Sequence, residues 1–120
     1  MRVIGGSKRG FKLVSPPGMR VRPTADRVRE AMFNIVMPYL GDAIVLDLFA
    51  GTGALGIEAL SRGAKKAVFV DNHPRSVVVI RQNLAHCGFT EVGNIITKDA
   101  LAFLRQSADR VTEPFNLIFM

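Results

Sequence analysis

The sequence predicts an α/β fold in which helices flank a mostly parallel β-sheet, with a Rossmann-like strand order of about 3-2-1-4. Short apolar runs of strand length alternate with longer segments of helical periodicity, and the first run ends in an acidic residue followed by a glycine loop. The predicted strands span residues 43–48, 67–71, 94–97 and 115–120. Apolar runs of this kind are typical of strands that are buried on both faces of a parallel sheet.

The glycine loop follows the first strand directly. Gly51, Gly53 and Gly56 form the pattern G-x-G-x-x-G, and a helix is predicted over residues 54–61. Glycine in this pattern permits a tight turn, close approach of the backbone to a ligand, and close packing of the helix that follows. The loop is therefore a candidate nucleotide-binding turn.

Asp47 distinguishes two kinds of ligand at this turn. The glycine pattern alone also fits a nicotinamide-dinucleotide oxidoreductase domain, which binds a pyrophosphate at the helix N-terminus. A carboxylate at Asp47, four residues before Gly51, would repel a pyrophosphate but would suit an ammonium group. The methionine moiety of S-adenosylmethionine (SAM) carries such a group, so we predict SAM, and the dinucleotide domain stays an alternative.

Two further acids extend the predicted cofactor site. Asp71 ends the second strand, where this architecture places the carboxylate that binds both ribose hydroxyls. Asp99 follows the third strand and is expected to accept a bond from the adenine amino group beside Ala100 and Leu101, or else to cap the next helix. The predicted cofactor-binding residues are Asp47, Ala50, Gly51, Thr52, Gly53, Gly56, Asp71, Asn72, Asp99 and Ala100.

Positive charge is concentrated at the N-terminus. Residues 1–25 contain six basic and no acidic residues, so the whole net charge of +6 resides there. Residues 2–14 alternate around glycines, which predicts a small basic hairpin; we assign residues 1–21 to this arm and residues 22–120 to the main domain. A basic hairpin suits a phosphate backbone, although a solvated tail that aids solubility is the alternative. The predicted RNA-binding residues are Arg2, Lys8, Arg9, Lys12, Arg20 and Arg22.

An amphipathic helix is predicted after this arm. Thr24 is expected to be its N-cap, and the helix should stop before Pro38. The apolar residues that recur at helical spacing, and that should face the core, are Val28, Met32, Ile35 and Val36.

The remaining composition indicates one cytoplasmic domain. Hydrophobic residues make up 48% of the chain, but no apolar stretch is long enough to span a bilayer or to act as a signal peptide. The single cysteine, Cys87, excludes an internal disulfide and stands in no metal-binding pattern. We therefore expect no membrane partner and no metal, and we expect Cys87 to be a small buried residue.

Two blocks of sequence closely resemble one family. RPTADRVREAMFN (residues 22–34) and LDLFAGTGALGIEALSRG (residues 46–63) are similar to the RsmD family of bacterial 16S ribosomal RNA guanine-N2 methyltransferases. The resemblance implies a Rossmann-like SAM-dependent fold with a basic hairpin that holds RNA, and 16S rRNA or a small-subunit particle as substrate. It also implies that Thr24, Asp26 and Arg27 lie near the active site, over the SAM pocket.

One family motif is absent from the sequence. Such enzymes carry Asp/Asn-Pro-Pro-Tyr/Phe after the fourth strand, and the motif is therefore expected after Met120, but nothing follows the apolar run at residues 115–120. We assign no catalytic residue and expect a truncated chain that binds the cofactor at most, whose fourth strand has an open edge able to pair with a second copy. A non-catalytic RNA-binding module stays open as another alternative.

Overall fold

A four-stranded parallel sheet forms the centre of the structure, a computed structural model that describes residues 1–15, 23–109 and 115–120 and, for residues 23–25 and 107–109, the backbone only. The strands are β1 (Ile44–Asp47), β2 (Lys66–Val70), β3 (Gly93–Ile96) and β4 (Leu117–Phe119). Their order is β3-β2-β1-β4, and all neighbouring strands are parallel, which confirms the predicted fold class and order.

β4 is shorter than the strand predicted over residues 115–120, and the prediction is wrong at both ends. Phe115 and Asn116 were predicted to lie in the strand but precede it. Asn116 bonds to Ile44 partly through its side chain: its amide donates to the Ile44 carbonyl at 2.8 Å, and its Oδ1 accepts from the Ile44 amide at 2.9 Å. After it, Met120 lies outside the strand and is 88% exposed, because it has no pairing partner on β1 beyond Asp47. β4 lies at one edge of the sheet, and its pairing with a second copy stays a prediction.

The described helices alternate with the strands along the chain. They are α1 (Pro23–Val36), α2 (Ala54–Ser61), α3 (Pro74–His86) and α4 (Ala100–Asp109), and a short 3-10 turn at Met37–Tyr39 follows α1. α2 has the predicted bounds. The prediction that Thr24 caps α1 is wrong because the helix already begins at Pro23, whose fixed φ and missing N–H suit the first helical position.

The sheet is buried on both faces. On one face Val45 and Phe69 pack with residues of the first three helices, among them Phe33 and Ile80. On the other face Leu46, Leu48 and Val70 pack against Ala100 and Phe103 of α4. Burial on both faces explains why the strands are apolar runs and show no alternation.

α2 lies unusually close to β2. A Cβ built on Gly56 would stand 2.3 Å from Cε1 of Phe69, a separation that no side chain tolerates. The third glycine of the loop pattern is therefore required for close helix packing, as predicted from its spacing.

α1 presents a different face to the core from the one predicted. Val28 and Ile35 are 63% and 75% exposed, whereas Phe33 is fully buried and Arg29 is 6% exposed. Arg29 is drawn inward because its guanidinium contacts Glu58 and the backbone carbonyl of Arg2. This polar contact rotates the helix, so the predicted stripe is wrong at Val28 and Ile35 and holds only for the partly buried Met32 and Val36.

The N-terminal arm forms the predicted hairpin, with a single antiparallel bridge between Arg2 and Lys12. The amide of Val3 donates to the carbonyl of Phe11 at 2.9 Å, and the amide of Leu13 donates to the carbonyl of Met1 at 2.8 Å. Val3 and Leu13 are buried in the same core as the sheet and helices. The hairpin is therefore packed onto the body of the protein and is no loose, solvated tail.

Glu58 of α2 fastens the hairpin to the body. Its buried carboxylate accepts bonds from the amides of Ile4 and Gly5, both at 2.9 Å, and from Nε of Arg62 at 2.8 Å. Nε of Arg29 lies 3.8 Å from Oε1 of the same carboxylate. One acid thus joins the hairpin, α1 and α2.

Ser61 provides a second fastening at the end of α2. Its hydroxyl accepts from the amide of Lys8 at 2.9 Å and donates to the carbonyl of Gly5 at 2.6 Å, while its carbonyl accepts from the amide of Ser7 at 2.8 Å. A Cβ on Gly6, whose φ is +79°, would stand 1.9 Å from the Ser61 carbonyl oxygen. Only glycine permits the hairpin turn to lie this close to the helix.

Cys87 is a buried free thiol. Burial raises the pKa of this thiol, while the charge of Lys8 opposes the shift, so Cys87 packs as a small apolar residue, as predicted. Within the described ranges, no group of three or more side chains of the metal-binding types is assembled. No helix in those ranges is both long and apolar enough to cross a membrane.

Replacing Glu58 with alanine should strongly destabilise the protein. The change leaves the buried Arg29 guanidinium with only the partly exposed Asp26 carboxylate and removes the acceptor of two hairpin amides. We expect this to lower the free energy of unfolding by about 3 kcal/mol in a urea titration. Glu30→Ala, at an exposed position of α1, should change it by less than about 0.5 kcal/mol. Equal effects of the two substitutions would contradict the anchoring role of Glu58.

Candidate cofactor site at the carboxyl edge of the sheet

The glycine loop joins β1 to α2 in a backbone conformation that requires glycine. Gly51 has a φ of +56° and Gly53 a φ of +82°, both in the left-handed region. The amide of Ala50 donates to the carbonyl of Val70 at 3.2 Å, and the amide of Gly53 donates to the carbonyl of Ala50 at 2.7 Å. These bonds hold the loop over the carboxyl ends of β1 and β2.

The two loop glycines have different surroundings. A Cβ on Gly53 would contact Ile80 at 3.3 Å, so this glycine fits against α3. A Cβ on Gly51 would meet no atom within 4 Å. Gly51 therefore leaves open space in which a ligand can approach the backbone, which is one of the properties that the glycine pattern permits.

Asp47 is a buried carboxylate at the end of β1. It is 1% exposed, and its Oδ2 accepts a bond of 3.2 Å from the amide of Gly56. Burial raises the pKa of Asp47 to about 7; the Gly56 bond lowers it and the nearby charge of Asp71 raises it further. In the described part of the structure the charged group that acts on this pKa is the acid Asp71 and not a cation, so a cationic group of a ligand would stabilise the ionised form of Asp47.

Asp71 connects the end of β2 to the glycine loop. Its Oδ2 accepts from the amide of Gly51 at 2.9 Å, and its Oδ1 accepts from the amide of His73 at 2.9 Å. Each carboxylate oxygen can accept a second bond, so these contacts leave acceptor capacity for ligand hydroxyls. The neighbouring Asn72 is exposed beside this carboxylate.

Asp99 lies at the same edge of the sheet, after β3. Its Oδ2 accepts from the amide of Ala102 at 3.2 Å, so the helix-capping alternative is realised. Ala100, the first residue of α4, is buried against Leu46 and Val70, whereas Leu101 is 56% exposed. The structure thus joins Asp47, the loop and Asp71 through direct or shared contacts, and it places Asp99 one strand further along.

Asn83 of α3 is the residue of this site that sequence reasoning missed. It is fully buried, and its Nδ2 donates to the carbonyl of Thr52 at 2.9 Å and to that of Val14 at 3.1 Å, while its Oδ1 accepts from the amide of Val14 at 2.7 Å. The sequence feature that could have identified it is the position of an asparagine between the apolar Ile80 and Leu84, on the side of α3 that faces the core. A buried amide needs partners, and these lie in the loop and the hairpin.

The residues at the start of α1 lie by the hairpin. Asp26 is 3.3 Å from the guanidinium of Arg29, which contacts the hairpin carbonyl of Arg2, and Arg27 is exposed. The side chain of Thr24 lies outside the described part of the structure. Within that part, no contact joins Asp26 or Arg27 to the glycine loop, so their place near an active site stays a prediction.

Arg2 and Lys12 form a pair of like charges on the hairpin. They are directly opposite each other in the antiparallel bridge and exposed, on the face away from the buried Val3 and Leu13. Two cations in this position repel each other unless an anion lies between or above them. The pair is a candidate anion-binding element.

The other predicted RNA-binding residues are less uniform. Arg9 is exposed, but Lys8 is half-buried, with Nζ 5.4 Å from the ring centre of Phe11 and 5.8 Å from that of Phe89. Lys8 therefore packs onto aromatic rings and is less available to an external phosphate than predicted. Arg20 and Arg22 lie outside the described residues.

Comparisons with known proteins identify relatives along the whole chain. The chain is 43% identical over 112 residues to "Putative rRNA methyltransferase YlbH" of Bacillus subtilis, covering 93% of this chain and 61% of the relative. It is 40% identical over 122 residues to "Ribosomal RNA small subunit methyltransferase D" of Escherichia coli, covering 100% and 58%. The solved structure of "Putative methyltransferase yhhF from Escherichia coli" superposes with a TM-score of 0.83 at 35% identity, covering 100% and 62%. The chain thus spans about six-tenths of the length of these relatives.

A family model agrees with these similarities. The model described as "Conserved hypothetical protein 95" matches residues 1–120. The chain therefore belongs to the Conserved hypothetical protein 95 family, which is the RsmD family that its sequence resembles.

Proposed function

We propose that this chain forms the cofactor-binding part of a SAM-dependent methyltransferase that modifies ribosomal RNA of the small subunit. The observation that carries the proposal is the buried Asp47 carboxylate, beside which the described residues place no cation, next to a glycine loop whose Gly51 amide donates to Asp71. The names of the relatives, which are rRNA methyltransferases, support the same reaction class. When bound, SAM supplies an activated methyl group for transfer to a nucleophile.

The residues present fit this cofactor. We propose that Asp47 binds the ammonium group of the methionine moiety, since an ionised carboxylate without a cation is costly to bury. The open backbone at Gly51 would receive the cofactor closely, Asp71 would accept from ribose hydroxyls, and Asp99 from the adenine amine. A pyrophosphate would place further negative charge beside Asp47, which disfavours the nicotinamide-dinucleotide alternative.

The proposed methyl acceptor is the exocyclic N2 amine of a guanine in 16S rRNA, as the resemblance to the RsmD family implies. This amine is a poor nucleophile because its lone pair is delocalised into the ring, so the enzyme must align it with the methyl group. We assign no catalytic residue within residues 1–120, because the Asp/Asn-Pro-Pro-Tyr/Phe motif that would bind the amine does not occur among them.

We further propose that the hairpin binds the phosphate backbone of this RNA. The exposed pair Arg2 and Lys12 supports the proposal because like charges directly opposite each other on two strands repel unless an anion is bound beside them. Met1, next to this pair, lies with its Sδ 4.0 Å from Oγ1 of Thr52 in the glycine loop. RNA bound at the pair would therefore lie near the cofactor site.

SAM binding should depend on the open space at Gly51. Gly51→Ala adds a methyl group where the cofactor approaches, and we expect SAM affinity measured by calorimetry to fall about tenfold, which corresponds to about 1.4 kcal/mol. Gly10→Ala is the matched control, because Gly10 also has a positive φ of +85° and a Cβ there would meet no atom within 4 Å. NADH should not bind to the parent protein. NADH binding, or equal SAM affinity of both variants, would contradict the proposed site.

The affinity for SAM should rise with pH up to about 7 and then level off. Asp47 must be ionised to bind an ammonium group, and its pKa is about 7 without ligand. Calorimetry at pH 6.5 should therefore show proton release on binding, seen as a binding enthalpy that varies with the ionisation enthalpy of the buffer. Asp47→Asn should bind SAM more weakly and show no such variation. An unchanged proton release in this variant would exclude Asp47 as its source.

The same substitution should stabilise the ligand-free protein at pH 8. Because the folded pKa of Asp47 is raised, the stability linked to its proton is present below pH 3.8 and is lost as pH rises to about 7. Asp47→Asn removes the buried charge above that pH, so the free energy of unfolding should increase by roughly 2–4 kcal/mol. Asp42→Asn, at an exposed position, should leave it nearly unchanged. A loss of stability in Asp47→Asn would contradict this assignment of the pKa.

Charge reversal at Arg2 and Lys12 should weaken RNA binding. For a 16S rRNA transcript we expect the double variant Arg2→Glu, Lys12→Glu to reduce the slope of log affinity against log salt by about 1.5, because two phosphate contacts are lost. The control Arg81→Glu, Arg105→Glu makes the same charge change at exposed positions of α3 and α4. SAM affinity should be equal in all three proteins. An equal loss of RNA affinity in both double variants would show an effect of net charge alone and would overturn the proposed role of the pair.

A further inference from the structure

We propose that Asn83 is a positioning residue that couples the hairpin to the glycine loop, so that RNA bound to the hairpin and SAM bound to the loop strengthen each other's binding. The mechanical coupling rests on contacts within the chain. Its consequence for two ligands rests on the proposed function.

Every hydrogen-bonding group of the Asn83 side chain has a partner in the hairpin or the glycine loop. Both hydrogens of its Nδ2 have acceptors, one on Thr52 and one on Val14, and its Oδ1 accepts from the Val14 amide. The side chain has no exposed surface, so water cannot replace a partner that moves away. Movement of Val14 would therefore leave a buried donor and a buried acceptor unpaired, and the third bond, to Thr52, would have to adjust with them.

Thr52 is the loop residue through which Asn83 and the hairpin act on the loop conformation. It lies between the two left-handed residues Gly51 and Gly53, and its carbonyl belongs to the peptide group that precedes Gly53. The Asn83 bond to this carbonyl fixes the orientation of that peptide. Thr52 itself is buried, and its hydroxyl faces Met1 of the hairpin. The loop is thus restrained from two sides by groups that the hairpin positions.

The hairpin is oriented to transmit a restraint. Met1 and Val14 lie at its open end, beside the loop, while its turn is bonded to Ser61 at the far end of α2. The eight residues of α2 separate these two contacts by about 12 Å. An RNA that clamps Arg2 and Lys12 would restrain the open end, and hence Val14, Asn83 and Thr52.

The coupling must be reciprocal. A loop that is already held in its binding conformation loses less conformational entropy when SAM binds, and a hairpin held by an occupied loop loses less when RNA binds. The expected sign is positive, with each ligand raising the affinity for the other about fivefold, at the low end of measured couplings.

A substitution at Val14 tests the coupling without touching the loop or its acids. Val14→Pro removes the amide that donates to Asn83, whereas Val14→Ala keeps it and changes only a half-exposed side chain. Hydrogen exchange of the Gly53 and Ile57 amides, measured by NMR without ligand, should be at least about tenfold faster in Val14→Pro than in the parent and unchanged in Val14→Ala. The amide of Asp71, bonded to Ile96, reports global opening and should stay unchanged.

Two results would overturn the coupling. One is unchanged exchange at Gly53 and Ile57 in Val14→Pro, and the other is equal acceleration at Asp71, which indicates general destabilisation. SAM affinity should also fall about threefold to tenfold in Val14→Pro only. If the parent protein does not bind SAM, the proposed function fails, while the exchange result still decides the coupling.

Linkage in the parent protein gives a second test, which remains decisive if Val14→Pro does not fold. SAM affinity should be about fivefold higher with a saturating 16S rRNA transcript than without it. An equal or a lower SAM affinity in the presence of RNA would overturn the proposed positive coupling.

Discussion

The contact of Gly56 with Phe69 determines how closely α2 lies against the sheet, and the rest of the site depends on that distance. Because the helix is so near, the Gly56 amide reaches the carboxylate of Asp47 at the end of β1. The same helix carries Glu58 and Ser61, which hold the hairpin. One glycine thus aligns the acid, the loop and the hairpin. A larger residue there would separate all three.

The site contains a carboxyl group whose ionised form the ligand-free fold does not stabilise. Burial is the main reason that the pKa of Asp47 is raised to about 7, and the single bond from Gly56 only partly offsets it. Glu58, by contrast, is just as buried but is surrounded by two arginines and two backbone amides. The two acids of one βα unit therefore differ, since Glu58 stabilises the fold, whereas Asp47 is the residue that we propose binds a cationic group of the cofactor.

Local features were predictable from the sequence. The bounds of α2, the close packing at Gly56 and the hairpin follow from apolar runs, glycine spacing and alternation over short distances. The strand order followed from the Rossmann-like architecture that these features indicate. The orientation of α1 was not predictable, because Arg29 turns inward toward Glu58, which lies 29 residues along the chain. The contacts of Asn83 were not predictable for the same reason, since its partners are 31 and 69 residues away. A periodicity argument treats a buried arginine or asparagine as surface.

The most direct test is to map the binding site by the amide NMR shifts that S-adenosylhomocysteine, the demethylated form of SAM, causes in this protein. The account predicts large shifts at Gly51, Gly53 and His73, around the ends of β1 and β2, and a smaller shift at Val14 through Asn83. Shifts confined to the amino ends of the strands, around Phe89 and Val92 before β3, would contradict the proposed cofactor site. Shifts at the loop without any at Val14 would retain the site and remove the coupling.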